Sequence, residues 1–371
     1  VIYDGNPGGS KDNPDWSTLW RFASENKVTF FGAGAAFFAN CQKADIDLTQ
    51  CGDLSRIRAL GTTGSPLSAD TQNWGTAQFK RIQAQHPNAA HLHRETDGDI
   101  WWCNISGGTD FCGAFIGGHR ELPQEAGVMQ CRLLGCAVEA WNEAGEPVHG
   151  EVGELVCAQP IPSMPLYLWN DQNNARYLAS YFEMYPAGHG RKPGGGDAPV
   201  DYGGVWRHGD WLRIGAADQG KNGGEGCVIF GRSDATINRH GLRMGTSELY
   251  SAVEALPEVI DSMVVDLEYL GRESYMPLFV VLRPGLQLTQ DMKNSLNNAI
   301  KTALSPRFVP NEIFQVAEIL RTLSGKKQEL PIKKLMLGQP LEKVVNKDAM
   351  ANPGCLDWYV ELAKQHVAKT A

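Results

Sequence analysis

The stretch "FGRSDATINRHGLRMGTSE", Phe230–Glu248, decides how this chain is organised. It spaces Arg232, Asp234, Arg239 and Arg243 around glycines and then runs into a helical pattern, "TSELYSAVEAL". Upstream lies a long mixture of helical and strand patterns. Downstream the strands "SMVVDLEYLG" and "MPLFVVLRPG" precede a helix, "TQDMKNSLNNAIKTAL", with Thr289 as its expected N-cap. The downstream part has the size of a small α+β domain. A boundary between two parts of the chain is therefore expected within this stretch.

Working back from that boundary, "WSTLWRFASEN" at 16–26 has helical spacing and "KVTFFGAG" reads as a buried strand. A helix is expected near 69–85, followed by the strand "DIWWCNIS". From about 128 to 158 the pattern changes to short β segments separated by turns, including "EAGEPV". Residues 186–204, "PAGHGRKPGGGDAPVDYGG", are rich in glycine and proline and read as a surface loop or insertion.

The 371 residues are too many for one ordinary core. With 42% hydrophobic and 20% charged residues the composition is that of a globular protein, and a net charge of −8 offers no broad attraction to nucleic acid or anionic membranes. The most apolar run, Val28–Ala39, is shorter than the roughly 20 residues of a membrane-crossing helix. No signal peptide is visible, and a cytoplasmic location is expected. The nine cysteines are scattered without a CxxC pair and read as reduced thiols. His86, His91 and His93 cluster without a Cys or acidic partner, so zinc is not expected.

Besides Phe230–Glu248, four segments carry candidate chemistry. "RALGTTGSPLS" (Arg58–Ser68) looks like a phosphate loop, yet no lysine follows before Lys80 and no GKS or GKT occurs. "SGGTD" (Ser106–Asp110) places a carboxylate after a flexible turn. "WRHGDW" (Trp206–Trp211) sets Asp210 between a glycine and an aromatic. "RTLSGKKQELPIKK" (Arg321–Lys334) puts two lysines on a Ser-Gly turn. Singly, each has an ordinary explanation as a turn, a surface arginine or a solvated lysine.

Together, in this order, they resemble the motif series of the adenylate-forming acyl-CoA synthetases. "ISGGTD", "MPLYLWND", "VWRHGDW", "GRSDATINRHGLRMGTSELY", "LSGKKQELPIKK" and the terminal "VNKDAMANPGCLDW" are similar to the versions in the branch that activates acetoacetate. The resemblance covers essentially the whole chain. It implies an α/β fold: the C-terminal part of a large AMP-binding domain over 1–234, with a β-rich subdomain, followed by a small mobile α+β lid domain with its tail over 235–371. It also implies the substrates acetoacetate, ATP and coenzyme A, with Mg2+ as cofactor. Other short-chain acids such as butyrate, or a non-catalytic nucleotide-binding remnant, are the alternatives.

The resemblance further implies residue roles. Gly64, Ser65 and Pro66 correspond to the loop beside the adenine, and the family's true phosphate loop has no counterpart here. The chain begins "VIYDGNPGG" without methionine, so a fragment lacking the N-terminal part is expected, inactive by itself. Thr109 is similar to a threonine contacting phosphate, and Asp110 to an acid on the metal. Asp210 is similar to the ribose-binding aspartate and Arg232 to the arginine beside ribose and phosphate. Gly241 and Arg243 correspond to residues of the thioester-forming step, Asp234 to a hinge, and Lys326 to the catalytic lysine, with Lys327 the competing candidate. Gly107 and Gly108 stand where acetate-using relatives carry a bulky aromatic, which implies a deeper acyl pocket.

Overall fold

The computed structural model describes residues 1–10, 13–86, 99–142, 144–186, 204–215, 225–233, 235, 237–239, 242–269, 272–323 and 325–370. The chain divides into two compact units, Val1–Ile229 and Phe230–Ala371. The fold is mixed α/β.

The first unit opens with helix α1 (Thr18–Glu25), strand β1 (Phe30–Gly34), helix α2 (Ala35–Lys43), β2 (Ala59–Thr63), α3 (Ala69–Gln85) and β3 (Trp101–Asn104). The three strands form a parallel sheet in the order β1-β2-β3, with Gly34 opposite Thr63 and Thr62 opposite Asn104. Their carboxyl ends therefore share one edge, where open α/β sheets bind ligands. The core behind them is aromatic. Trp20 stacks on Phe31 at 4.2 Å, and Phe37, Phe38, Phe79 and Trp102 pack around the pair. Each such side chain contributes on the order of 1.5–3 kcal/mol on burial. Helix α3 spans the expected 69–85, and its Ser68 cap accepts the Thr71 N–H at 3.2 Å.

Helix α2 was not legible in the sequence. An apolar run cannot distinguish a buried strand from a buried helix. The strand ends at Gly34, and helical spacing then turns Phe37, Phe38 and Cys41 inward.

Two antiparallel sheets follow. One joins β4 (Ser106–Gly108), β5 (Gly113–Gly117) and β6 (Cys131–Arg132). The other contains β7 (Val138–Trp141), β8 (Pro147–Val148), β9 (Val152–Cys157), β10 (Trp206–Ile214) and β11 (Cys227–Arg232), in the order β11-β10-β9-β7-β8. Helix α4 (Ala175–Tyr181) packs beside β10. The expected single strand "DIWWCNIS" is divided at Ile105, where the chain leaves the parallel sheet for the antiparallel one.

The second unit begins with the hairpin β12 (Ile237–Arg239) and β13 (Leu242–Met244), then α5 (Thr246–Glu254). Its main sheet joins β14 (Val259–Val264), β17 (Pro277–Leu282) and β18 (Glu312–Gln315). Between these lie the ribbon β15 (Leu267–Tyr269) and β16 (Arg272–Tyr275), and helix α6 (Gln290–Ala303), whose Thr289 cap accepts the Met292 N–H at 3.2 Å. Helices α7 (Glu329–Met336), α8 (Leu341–Val344) and α9 (Leu356–Thr370) complete the unit. The expected strand "SMVVDLEYLG" splits because its partner β17 starts at Pro277. Val264 opposite Leu278 is the last pair, and Leu267 then pairs with Tyr275 instead.

All nine cysteines are free thiols. Burial pushes the thiols of Cys41 and Cys227 up to about 12. Among the described residues no helix is long and apolar enough to cross a membrane.

Candidate functional site

In the first unit, three of the sequence motifs lie on elements that meet. "GTTGSP" leaves the carboxyl end of β2 and leads into α3, with Gly64, Ser65 and Pro66 exposed. "SGGTD" leaves the carboxyl end of β3, the neighbouring strand, and the Ile105 N–H donates to the Thr62 carbonyl at 2.9 Å. "WRHGDW" lies on β10. A Cβ built on Gly108 would stand 3.1 Å from His208 Cε1, so the second and third motifs are in contact.

The setting of Asp210 follows from a bulge. Arg207 pairs with Val156 and Trp211 with Glu154, so His208, Gly209 and Asp210 oppose the single residue Leu155. Gly209 takes φ +80°, which a side chain would resist. A bulge of this kind bends the strand and re-aims a side chain. The result leaves Asp210 half-buried, with its Oδ2 at 3.7 Å from His208 Nε2. The His208 ring is held edge-on by Phe115 at 5.0 Å and Phe111 at 5.7 Å.

Asp110 sits exposed on the turn after β4, and the Tyr181 hydroxyl donates to its Oδ2. Tyr181 is placed from the "MPLYLWND" segment. Asp171 of that segment accepts the N–H groups of Arg176 and Tyr177 at 2.9 and 2.8 Å, capping α4. At the far end of α4 the Tyr181 ring stacks on Trp206 at 3.7 Å, with 13° between the planes. Sequence reasoning missed Tyr181, because nothing local links it to an aspartate 71 positions away.

Gly107 and Gly108 have a packing explanation of their own. A Cβ at Gly107 would meet the Gly113 carbonyl oxygen at 2.2 Å and Ala114 Cα at 2.5 Å. A Cβ at Gly108 would stand 2.1 Å from Asp110 Oδ1 and 3.0 Å from Phe111 Cε1. The strand partner and the turn fill the space at both positions, so an unfilled acyl pocket is not needed to account for these glycines.

Among the described residues no group of three or more His, Cys, Asp and Glu stands together as a metal site. Asp110 offers one exposed carboxylate. That fits Mg2+, which is commonly held by one or two carboxylates together with phosphate oxygens and water. Gly64, at φ +92° with open space around it, fits a turn that a nucleotide passes closely.

In the second unit, Arg232 is exposed at the end of β11. Arg243 lies on β13, while Asp234 and Gly241 fall outside the described residues, as do the loop at 187–203 and the pair His91 and His93. The two lysines at 326 and 327 are sharply different. Lys326 is exposed on the turn closed by the Gly325 N–H to the Thr322 carbonyl at 2.8 Å. Lys327 points inward: its Nζ lies 2.6 Å from Glu254 Oε1, 3.1 Å from Asp261 Oδ1 and 2.6 Å from the Ser262 carbonyl. It also stands 3.7 Å from the centroid of the Tyr250 ring. Lys327 is committed to internal contacts.

No family model matches the chain. Three relatives do. Acetoacetyl-CoA synthetase from Danio rerio is 34% identical over 98% of this chain and 47% of its own length. Acetoacetyl-coenzyme A synthetase from Rhizobium meliloti (strain 1021) is 35% identical over 97% of this chain and 48% of its own. The solved acetoacetyl-CoA synthetase from Streptomyces lividans is 38% identical with a TM-score of 0.78, covering 98% of this chain and 49% of that one. The chain thus spans about half the length of the relatives it matches. Over 97–98% of its length the chain is thus similar to acetoacetyl-CoA synthetases.

Proposed function

We propose that this chain is part of an AMP-forming acetoacetate–CoA ligase. A carboxylate oxygen of acetoacetate attacks the α-phosphorus of ATP and displaces pyrophosphate, giving acetoacetyl-adenylate. The thiol of coenzyme A then attacks the acyl carbon and displaces AMP. The observation that carries this reading is the 34–38% identity to acetoacetyl-CoA synthetases across 97–98% of the chain.

In this reading the ends of β2 and β3 and the bulge in β10 form the nucleotide side. Gly64, Ser65 and Pro66 border the adenine. Asp210 accepts hydrogen bonds from the ribose hydroxyls, which a carboxylate can do with both oxygens. Thr109 and Arg232 contact phosphate, and Asp110 supplies a ligand to Mg2+, which would neutralise phosphate charge. Lys326 is the catalytic cation. Negative charge concentrates on the phosphoryl oxygens in the first step, and one preorganised contact there is worth on the order of 10²–10³ in rate. Lys326 suits the role because its neighbour Lys327 is already committed to four groups of the protein. Gly241 and Arg243 serve the thioester step, Asp234 is the pivot, and residues 1–234 and 235–371 are the two domains.

The test is acid-dependent ATP–pyrophosphate exchange with acetoacetate, acetate and butyrate. It is run on this chain and on the full-length protein that carries it. Exchange in the longer protein, best with acetoacetate and lost in Lys326→Ala, is the expected result. Exchange that prefers acetate or butyrate overturns the substrate, and no exchange in either form overturns the activity.

A further inference from the structure

Four partly buried charges of the second unit form a single connected group. Glu254 comes from α5, Asp261 and Ser262 from β14, and Arg321 and Lys327 from the two ends of the turn that carries Lys326. Arg321 donates to Asp261 Oδ2 from Nη2 at 2.6 Å and from Nε at 3.2 Å. Lys327 takes the other oxygen of the same carboxylate at 3.1 Å. One carboxylate thus holds both ends of the turn. The contacts close further around it. Arg321 Nη1 donates to the Gly325 carbonyl at 2.5 Å, next to Lys326. The Lys326 N–H donates to Thr322 Oγ1 at 3.0 Å, and Arg321 faces Lys327 in a β-bridge. Glu254 Oε1 accepts from both Lys327 and the Ser262 hydroxyl, the latter at 2.8 Å.

Two cations and two anions balance here, with side chains only 15–26% exposed. Such a cluster is costly to assemble, and replacement by apolar residues is often neutral for stability. Its geometric product is a pair of anchored turn ends, Arg321 and Lys327, with the exposed Lys326 side chain beside them.

We propose that Lys327 is a positioning residue for adenylation: clamped with Arg321 onto Asp261, it fixes the turn that presents Lys326. This rests on the reading of Lys326 given above. Lys327 never touches substrate. Its contribution is to remove the alternative conformations of the turn, and a misplacement of about 1 Å can cost on the order of 10²-fold in rate.

The experiment separates the two half-reactions in the full-length protein. Lys327→Met is expected to lower kcat for acetoacetate-dependent pyrophosphate exchange about 10- to 100-fold. The CoA-dependent consumption of added acetoacetyl-adenylate should keep its rate, since that step does not use Lys326. Lys327→Arg, which keeps the charge, should recover most of the lost exchange. A merely structural residue would lower both half-reactions together, and that result overturns the proposal, as does full exchange in Lys327→Met. Loss of exchange in Lys327→Met and Lys327→Arg alike, with Lys326→Ala active, would mean that Lys327 itself meets the substrate. Absence of exchange in the unsubstituted protein overturns the functional reading, and the positioning role falls with it. The clamp is also read independently on this chain by reductive methylation and peptide mapping. Lys326 should be modified well before Lys327, and Asp261→Asn should raise the rate at Lys327. Equal rates at both lysines in the unsubstituted chain would show that no clamp exists.

Discussion

The two units hold their candidate functional side chains by different means. In the first, the side chains that meet Asp210 and Asp110 rest on aromatic surfaces: His208 edge-on to the stacked pair Phe111 and Phe115, and Tyr181 flat on Trp206. In the second, the lysine turn is placed by ion pairs from Arg321 and Lys327 to Asp261 and Glu254. The difference suits the proposed roles. A carboxylate that is to bind ribose would gain from a rigid wall, which close packing supplies. An ammonium that is to reach phosphate would need an exposed side chain, so the restraint would fall on the base of its turn. Directional charge contacts can do this where packing against the tip itself cannot.

The contrast is broken most severely by Trp206→Ala. It removes a side chain that is 1% exposed and takes the floor from Tyr181. A loss of about 3–5 kcal/mol is expected in the first unit. Hydrogen exchange of the β9 and β10 amides measures it, with the β14 and β17 amides as the internal control. Equal loss in both units would mean that they do not unfold separately.

Asp261→Asn should do the reverse, costing about 2–3 kcal/mol in β14 and β17, because two cations lose a shared partner. The β9 and β10 amides should keep their protection.

Acidification sharpens the same point. Burial pushes the Asp261 carboxyl up, but the Lys327 and Arg321 charges outweigh it and leave it below its ordinary value of 3.8. Because the folded value is the lower one, this carboxylate contributes stability above about pH 4 and loses it as pH falls further. The second unit should therefore show an acid limb below about pH 4 that Asp261→Asn flattens, read by the same amide exchange. An unchanged acid limb in the variant would show that other carboxylates cause it.

The smallest effect is expected at Thr289→Ala, which removes the α6 cap at a cost of about 1 kcal/mol in chemical denaturation. It touches neither the aromatic nor the ionic device, and so calibrates the others.

Much of this was legible in the sequence where the signal is local. Thr289 announces its helix because a cap acts within three residues. The motif order pointed to the superfamily, since glycines and charged residues at set spacings are read directly. Strand ends were less legible. "SMVVDLEYLG" looks continuous, and only the start of its partner at Pro277 divides it. The bulge at His208–Asp210 likewise depends on what lies opposite, the single Leu155.

The residue types available for chemistry were determined by sequence alone: a carboxylate at 210, another at 110, and a lysine pair at 326 and 327. Which lysine stands out and which turns in was decided by tertiary structure. Glu254 and Asp261 lie 73 and 66 positions from Lys327, and folding alone brings them to its ammonium. The same holds for Tyr181 on Asp110 and for the backbone that fills the space beside Gly107. Local propensity acts over a few residues, whereas desolvation, ion pairing and close packing depend on what the rest of the chain places nearby.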